Sequence, residues 1–570
     1  MSMDKSRKQG YKKTEKLSTE LKNGMKKTSA LLLSALLLSL LFGGCGKRGE
    51  TPPAPTSPPE AQTLPADQAG GTEEHMEEEP QADPRPAEVR VITRPAEDLD
   101  PANIASRGKN CLLEIYEPLF EVRADGSVAC VLADGGRGAE GGFEHEKGRY
   151  TVYLREGVTD HDGNPLSAAD AAFCITRQAG AEGWELFKEA TAGEDGSVTV
   201  LFSRERSGAG EWERHFASLY LYTEKAYNDH GGLTTEACGT GPYRLESVGE
   251  DGSLLLTPFD DYRQGGEREE RAAANVQSIR YLFPDSAADR VITLEVGKAD
   301  MADCLSYADT VDFREGGSYA DLFRVEGSWS GANYLLVPNV QPQGMMNNEN
   351  LRRGVFYAID NALLASYAGE GGARACTGLA NPDCPDLPGS GESYESVTLP
   401  VDEVRSLLRQ AQYVNESFVL LTAEGSVEEE LACAIQSMLR PLSINANVVK
   451  VPREELEEKL KDQKAWDLAI LPVEGRSAAE VWTKLWTDRD KNGSTVGFLR
   501  DSRFNELLAR LATEDGRTGE NLAAVQDYAT EHAYAMALVQ LYRPVVLPRS
   551  CTGCYLTGSG AILPGGCTYE

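Results

Sequence analysis

The chain has 570 residues, long enough for two or three domains, and its hydrophobic fraction of 41% is ordinary for a protein with a buried core. Its 89 acidic residues against 57 basic ones give a formal net charge of −32. A field of that sign repels phosphate backbones and anionic lipid, which argues against nucleic-acid binding and leaves cations and neutral polar solutes open.

From Met25 the sequence reads MKKTSALLLSALLLSLLFGGCGKRG: two lysines, a leucine-rich stretch too short for a permanent membrane span, then small residues before Cys45. The pattern resembles a bacterial lipoprotein signal, with residues 1–44 removed and the Cys45 thiol diacylated, although Phe42 stands where such signals usually carry Leu. Residues 1–24 are charged and polar, and Met25 is the expected true start; an uncleaved N-terminal anchor is the other reading. Residues 45–88 are dense in Pro and Glu and nearly free of large apolar side chains, so they cannot bury enough surface to fold. As a flexible chain of about 40 residues they would span on the order of 40 Å. The segment reads as a tether holding the body at the outer face of the cytoplasmic membrane.

The folded part opens with EVRVITRP at 88–95, a period-two strand pattern. Further strands are expected at Tyr150 to Leu154, at Ser197 to Phe202, and in the hairpin GPYRLESVGEDGSLLLTPFDDY, whose Glu-Asp-Gly is a turn signal. Between them, TDHDGNPLSAAD at 159–170 sets one of only six histidines beside an Asp. Gly163 suits a turn, Pro165 disfavours helix at Asn164, and Ser167 with Asp170 forms an S-x-x-D capping box, so His161 and Asp162 read as structural. A catalytic pair would need a nucleophile and a third group, and no nearby motif supplies them. A helix follows over Asp285 to Val296 with Gly297 as its left-handed stop.

The clearest architecture comes later, where SFVLLTA (417–423), a helix over Val427 to Leu439, NANVVKV (445–451), a helix over Arg453 to Leu460, and WDLAILPV (466–473) alternate. Such β-α-β-α-β units make parallel sheets with right-handed crossovers, and ligands collect beyond the carboxyl ends of the strands, here near Ala423 and Val473. Glu474 is the first residue past the last strand.

Twelve cysteines are many for an exported chain, and removing Cys45 leaves an odd number. Cys376 and Cys384 bracket a short loop that a disulfide would close. Cys551, Cys554 and Cys567 have part of the spacing of a zinc site without a fourth ligand nearby, so disulfides or buried thiols are expected there and no metal. Nickel is disfavoured because the histidines do not cluster.

The runs LDPANIASRGKNCLLEIYEPLF, GRYTVYLREGVTDHDGNPLSAADAAF and GTGPYRLESV with LLLTPFDDY, then YLLVPN, LRRGVFYAID and ALVQLYRPVVL, stand in one order between Val89 and Leu547. Together they resemble the family 5 extracellular solute-binding proteins, the peptide- and nickel-binding lipoproteins of ABC importers. The resemblance implies a bilobed α/β fold of the periplasmic-binding-protein type, with mixed sheets, flanking helices and an extra inserted domain. Domain I would take 89–122, 238–328 and 538–570, domain II 123–237 and domain III 329–537, with crossovers near Trp329 and Ala537 as the hinge. It also implies ligand capture by lobe closure, no enzyme activity, no cofactor, a monomer, and partners limited to a small solute, ABC permease subunits and the membrane through the lipid anchor.

Peptide binders of this family carry an Asp-Tyr pair just after the domain III strand to hold the ligand ammonium. Here LPVEGRSAAEVWTKLW lacks that pair, and Glu474 stands at about the right place to supply the carboxylate. Arg476 is a candidate partner for a ligand carboxylate, and Trp329 and Trp482 are candidate cleft walls. Tyr116 reads as a residue facing the lobe interface. A solvated Glu474 and a core Trp482 are the plain alternatives. Other classes also stand: a sensing receptor of the same fold, a binder of oligosaccharides or metal complexes, and an exported hydrolase, against which neither G-x-S-x-G nor H-E-x-x-H occurs.

Overall fold

The computed structural model describes residues 86–570 except 124–126, 138–142, 147, 183, 185–186, 203–215, 263–272, 377, 383, 385, 388–397, 463, 476, 487–498, 512–515 and 570. The lipidation candidate Cys45, the signal segment, the tether and Arg476 therefore lie outside the described residues.

Alternating apolar residues in Val89–Ile92 (β1) place three of four side chains in the interior. The strand lies parallel to Ile279–Leu282 (β4) on one side and to Met301–Ala302 (β5) on the other. The expected hairpin forms from Tyr243–Val248 (β2) and Leu254–Pro258 (β3), with Gly252 at a φ of +80° in its turn, and β3 continues the sheet against β4. The helix Ala287–Glu295 (α2) is capped by Ser286, whose hydroxyl accepts from the Asp289 N–H, and Gly297 ends it at a φ of +69°.

Two long strands carry the sheet onward. Phe323–Pro338 (β6) and Met536–Pro548 (β11) run antiparallel. Beyond them Leu468–Val473 (β10) pairs antiparallel with β6, then come Ser417–Ala423 (β8) and Asn445–Val451 (β9), both parallel to their neighbours. The full order is β2-β3-β4-β1-β5-β11-β6-β10-β8-β9, with Ala373–Ala375 (β7) also on β11, making eleven strands. The helices Val427–Leu439 (α3) and Arg453–Lys461 (α4) cross between the parallel strands as their periodicity dictates.

One sheet therefore serves two cores. β1 and β3 to β5 bury their side chains in two clusters with Val545, Val546 and Leu547 of β11. β8 to β10 do so in two others with Leu335 to Val337 of β6 and Leu538 and Val539 of β11. Among the described residues, only the β6–β11 ribbon supplies side chains to both sets. Each buried Leu, Ile or Phe contributes about 1.5–3 kcal/mol by leaving water, so each half has ample reason to fold around its own interior. A separate four-stranded sheet, in the order Phe143–Glu146, Arg149–Tyr153, Ser197–Phe202 and Phe187–Ala192, packs with the helix Ala168–Glu182 (α1) onto the first half's core.

Candidate functional site

The ribbon joining the two cores is irregular at two places: Leu538 is skipped between the Tyr334–Val539 and Leu335–Ala537 pairs, and the larger irregularity lies at Trp329 to Asn333. Trp329 faces Tyr542 and Asn333 faces Gln540, so three residues of β6 lie opposite Leu541 alone. Such a bulge leaves ladder groups unpaired, bends the strand and re-aims side chains. Directly opposed residues share a face, and so do residues two apart. Trp329, Tyr542, Gln540 and, across the other ladder, Arg374 of β7 therefore lie on one face of the sheet at the junction.

These side chains hold one another. The Arg374 guanidinium sits 4.4 Å above the Trp329 ring and donates through Nε to Gln540 Oε1 at 2.8 Å. Tyr542 meets Trp329 edge-on at 5.4 Å and Tyr307 at 5.9 Å. Gln540 Nε2 donates to the Ser330 carbonyl of the bulge and reaches Asn381 Oδ1 at 3.5 Å. Burial, with lesser contributions from Glu326 and Tyr307, raises the Tyr542 phenol, which keeps it a neutral donor and acceptor at pH 7.

Gly331, in the bulge, faces Glu474: a Cβ built on Gly331 would lie 2.4 Å from Glu474 Oε1. Glu474 is exposed, immediately after β10. Behind it Gly475 and Ser477 lead into the helix Ala478–Trp486 (α5), whose first amides, Ala478 and Ala479, donate to the Asp386 carboxylate at 2.7 and 3.0 Å. Asp386 is thereby tied to the start of α5, and Asn333 Nδ2 donates to the Gly378 carbonyl at 3.0 Å. The junction thus presents a carboxylate, a guanidinium stacked on an indole and a phenol, with the buried Gln540 amide holding the guanidinium in place, a set suited to a zwitterionic, hydrogen-bonding solute and, among the described residues, without a nucleophile–base pair.

The structure separates the residues singled out from sequence. Trp329 is half-buried at the junction, and Glu474 stands beside the bulge. Trp482 is fully buried, 0% exposed, in the core with Ala478, Ala479 and Leu485 of α5, because that helix turns its apolar side inward. Tyr116 is likewise 0% exposed; its hydroxyl donates to the Leu99 carbonyl at 3.0 Å, and burial pushes its phenol up. Neither offers surface to a solute in this conformation, so the expected Trp482 cleft wall is a core residue, and Tyr116 belongs to the first half's interior. Nothing local in GGARACTG or ALVQLYRP marks Arg374, Gln540 and Tyr542; strand pairing brings them together.

The His161–Asp162 dipeptide is also resolved. Gly163 adopts a φ of +81°, and the Asp170 carboxylate accepts from the Ser167 amide while the Ser167 hydroxyl accepts from the Asp170 amide, closing the capping box. His161 accepts at Nδ1 from the Gly239 amide and donates from Nε2 to the Gly241 carbonyl; burial lowers its pKa to about 4. Asp162 turns instead to His230, whose ring also bonds Glu236; the Glu236 bond, then Asp162, raises its pKa. These are structural ion pairs on the first half. Cys384 directs its sulfur toward the Gly475 carbonyl at 3.9 Å rather than toward Cys376.

Comparison with known proteins agrees with this architecture. Residues 138–492 match the family model of bacterial extracellular solute-binding proteins, family 5 Middle. The glutathione-binding protein GsiB of Salmonella typhi is 23% identical over 342 residues, covering 58% of this chain and 63% of that protein. The chain thus spans less than two thirds of that relative's length. A protein described as a probable peptide ABC transporter periplasmic-binding protein, y4tO of Sinorhizobium fredii, is 22% identical over 454 residues, 75% of this chain and 82% of its own. The substrate-binding protein CtaP of Listeria monocytogenes superposes with a TM-score of 0.70 at 14% identity, covering 85% of this chain and 99% of that one. The oligopeptide-binding protein AppA of Bacillus subtilis, solved with a nonapeptide, gives 0.63 at 13% identity over 85% and 99%. At such identities the structural likeness shows the fold, a bilobed α/β binding-protein fold with a large mixed sheet.

Proposed function

Because this chain belongs to the bacterial extracellular solute-binding proteins of family 5, we propose that it captures a short peptide between its two halves and delivers it to the permease of an ABC importer. The observation that carries the reading is the bulged ribbon between two otherwise separate cores, lined by Trp329, Arg374, Tyr542 and Glu474. Because each core packs around its own set of side chains, bending at this ribbon leaves both cores intact. A solute favours the closed arrangement only through contacts with both halves, and its capture is then the whole activity, with no bond made or broken.

In this reading domain I comprises 89–122, 238–328 and 538–570, domain II 123–237 and domain III 329–537. Glu474 takes the peptide ammonium, the Arg374 fork takes a carboxylate or peptide carbonyl, and Trp329 and Tyr542 stack on peptide planes. The peptide class draws support from y4tO and AppA, and the small zwitterion glutathione from GsiB. Lipidation at Cys45 and the 45–88 tether would keep the binder within reach of the permease, raising its effective concentration there.

Mass spectrometry of solute released from the purified protein, followed by calorimetry with that solute and with Glu474→Gln, tests the proposal. A peptide bound at least tenfold more weakly by Glu474→Gln is expected. A co-purified sugar, or a peptide whose affinity ignores Glu474, would overturn the assignment of solute class or of site respectively.

A further inference from the structure

The last twenty residues hold a feature the solute-binding function does not use. Cys551 opens a short strand, Cys551–Thr552 (β12), which pairs with Thr568–Tyr569 (β13), and two tight turns face each other across it. In the first, Cys551-Thr552-Gly553-Cys554, Gly553 takes a φ of +74°, and a Cβ there would lie 2.4 Å from the Gly566 carbonyl oxygen. In the second, Pro564–Gly566 forms a 3-10 turn that ends at Cys567. Only glycines permit this approach, and its result is that the Cys551, Cys554 and Cys567 sulfurs all lie within 4.8 Å of one another.

Cys551 and Cys567 are fully buried and Cys554 partly so, and all three are thiols, with Cys551 and Cys554 3.4 Å apart. In tetrahedral thiolate coordination, metal–sulfur bonds of about 2.3 Å put neighbouring sulfurs about 3.8 Å apart. A disulfide would use two of these sulfurs and strand the third in an apolar interior, whereas a metal ion uses all three. The fourth ligand that the local sequence lacks comes from β5: the Met301 thioether lies 3.8 Å from Cys554 Sγ and is itself 0% exposed. Arg324, which donates to the carbonyls of Pro548 and Cys551, places a cation beside the anionic site that three thiolates would form.

We propose that Cys551, Cys554, Cys567 and Met301 bind one thiophilic d10 metal ion, Zn2+ or Cu+. Three thiols lose their protons to solvent as three metal–sulfur bonds form, and the Met301 thioether completes the shell without a proton. The ion staples residues 551–569 to β5, whose Ala302 faces Val546, four residues or about 13 Å along β11 from Tyr542 at the rise of an extended strand. It is therefore separate from the solute site, with which it shares no residue.

The full chain, purified with reductant and stripped with a chelator, would be titrated with Zn2+, with Cu+, and with Co2+ as a spectroscopic probe. One equivalent per chain, with Co2+ giving sulfur-to-metal charge-transfer absorption and tetrahedral d–d bands, is expected. Cys554→Ser should abolish that signal at unchanged far-ultraviolet circular dichroism, while the exposed control Cys433→Ser retains it. Met301→Leu should weaken Cu+ at least tenfold and Zn2+ less, because the thioether is the softer ligand, and unchanged affinity for both ions would remove Met301 from the ligand set. Absence of stoichiometric uptake by the reduced protein, or peptide mapping of exported protein showing a disulfide among these cysteines, would overturn the proposal.

Discussion

Two glycines four residues apart on β6 make opposite demands on a methyl group. At Gly327, paired with Pro544, an added Cβ would lie 2.1 Å from the Arg543 carbonyl oxygen and 3.0 Å from its carbon. Both are backbone atoms of the partner strand, so Gly327→Ala must part the ribbon. Loss of two or three ladder hydrogen bonds at about 1 kcal/mol each, plus the strain of parting, sets the cost at about 2–4 kcal/mol. With an unfolding entropy of about 2.1 cal/mol/K per residue over roughly 480 folded residues, 3 kcal/mol lowers the melting temperature by about 3 °C if the body unfolds as one unit. At Gly331 the Cβ would meet Glu474 Oε1 at 2.4 Å, but Cδ at 3.2 Å and Cγ at 3.5 Å. The obstacle is the end of a flexible side chain, and rotating it away costs about 0.5–1.5 kcal/mol. Gly331→Ala should therefore melt within about 1.5 °C of the parent. It should nonetheless lose the affinity that a charge-assisted hydrogen bond of about 1.5–3 kcal/mol supplies, roughly 10- to 100-fold. Calorimetry for binding and scanning calorimetry for melting read the two effects on the same samples. Equal melting of Gly327→Ala and parent, or full affinity in Gly331→Ala, would refute the reasoning at the corresponding position.

Trp482→Ala should cost about 3–5 kcal/mol in urea unfolding because it empties a core site, whereas Trp329→Ala should cost little stability and cut solute affinity; comparable unfolding midpoints would contradict the placement of Trp482. Arg374→Lys should fail to restore affinity lost in Arg374→Ala, since a lysine keeps the charge but neither stacks flat on Trp329 nor offers the guanidinium fork, and titration of both variants checks this. His161 titrates near 4 in the folded protein against an ordinary value of 6.5, so the unfolded chain takes up a proton that the folded one refuses. Stability should fall as pH drops from about 6.5 to 4, by up to about 3 kcal/mol from this group. Urea midpoints across that window should slope less in His161→Gln; parallel slopes would place the effect elsewhere.

Much of the fold is legible in the chain itself. SFVLLTA and NANVVKV become strands with the expected ends, the Val427 to Leu439 helix matches residue for residue, and Gly163, Gly252 and Gly297 all take the left-handed conformations their turns require. These elements rest on neighbours within a few residues, where apolar periodicity, caps and glycines act. The inward turn of Trp482 was open from sequence because a tryptophan at helical spacing suits a core or a cleft wall equally, and only the packing of α5 decides between them.

What the sequence determined by itself is the set of strands, helices and turns, the charge that excludes polyanions, and a family pattern spread in order along the chain. What the tertiary structure alone decided is which distant residues meet: Trp329 with Arg374 and Tyr542, Gly331 with Glu474, and Met301 with Cys554. Those meetings depend on the register between β6, β11, β7 and β5, strands separated by up to hundreds of residues. A slip of one position would turn every side chain to the opposite face, so register is fixed by burial of whole faces rather than by any local signal.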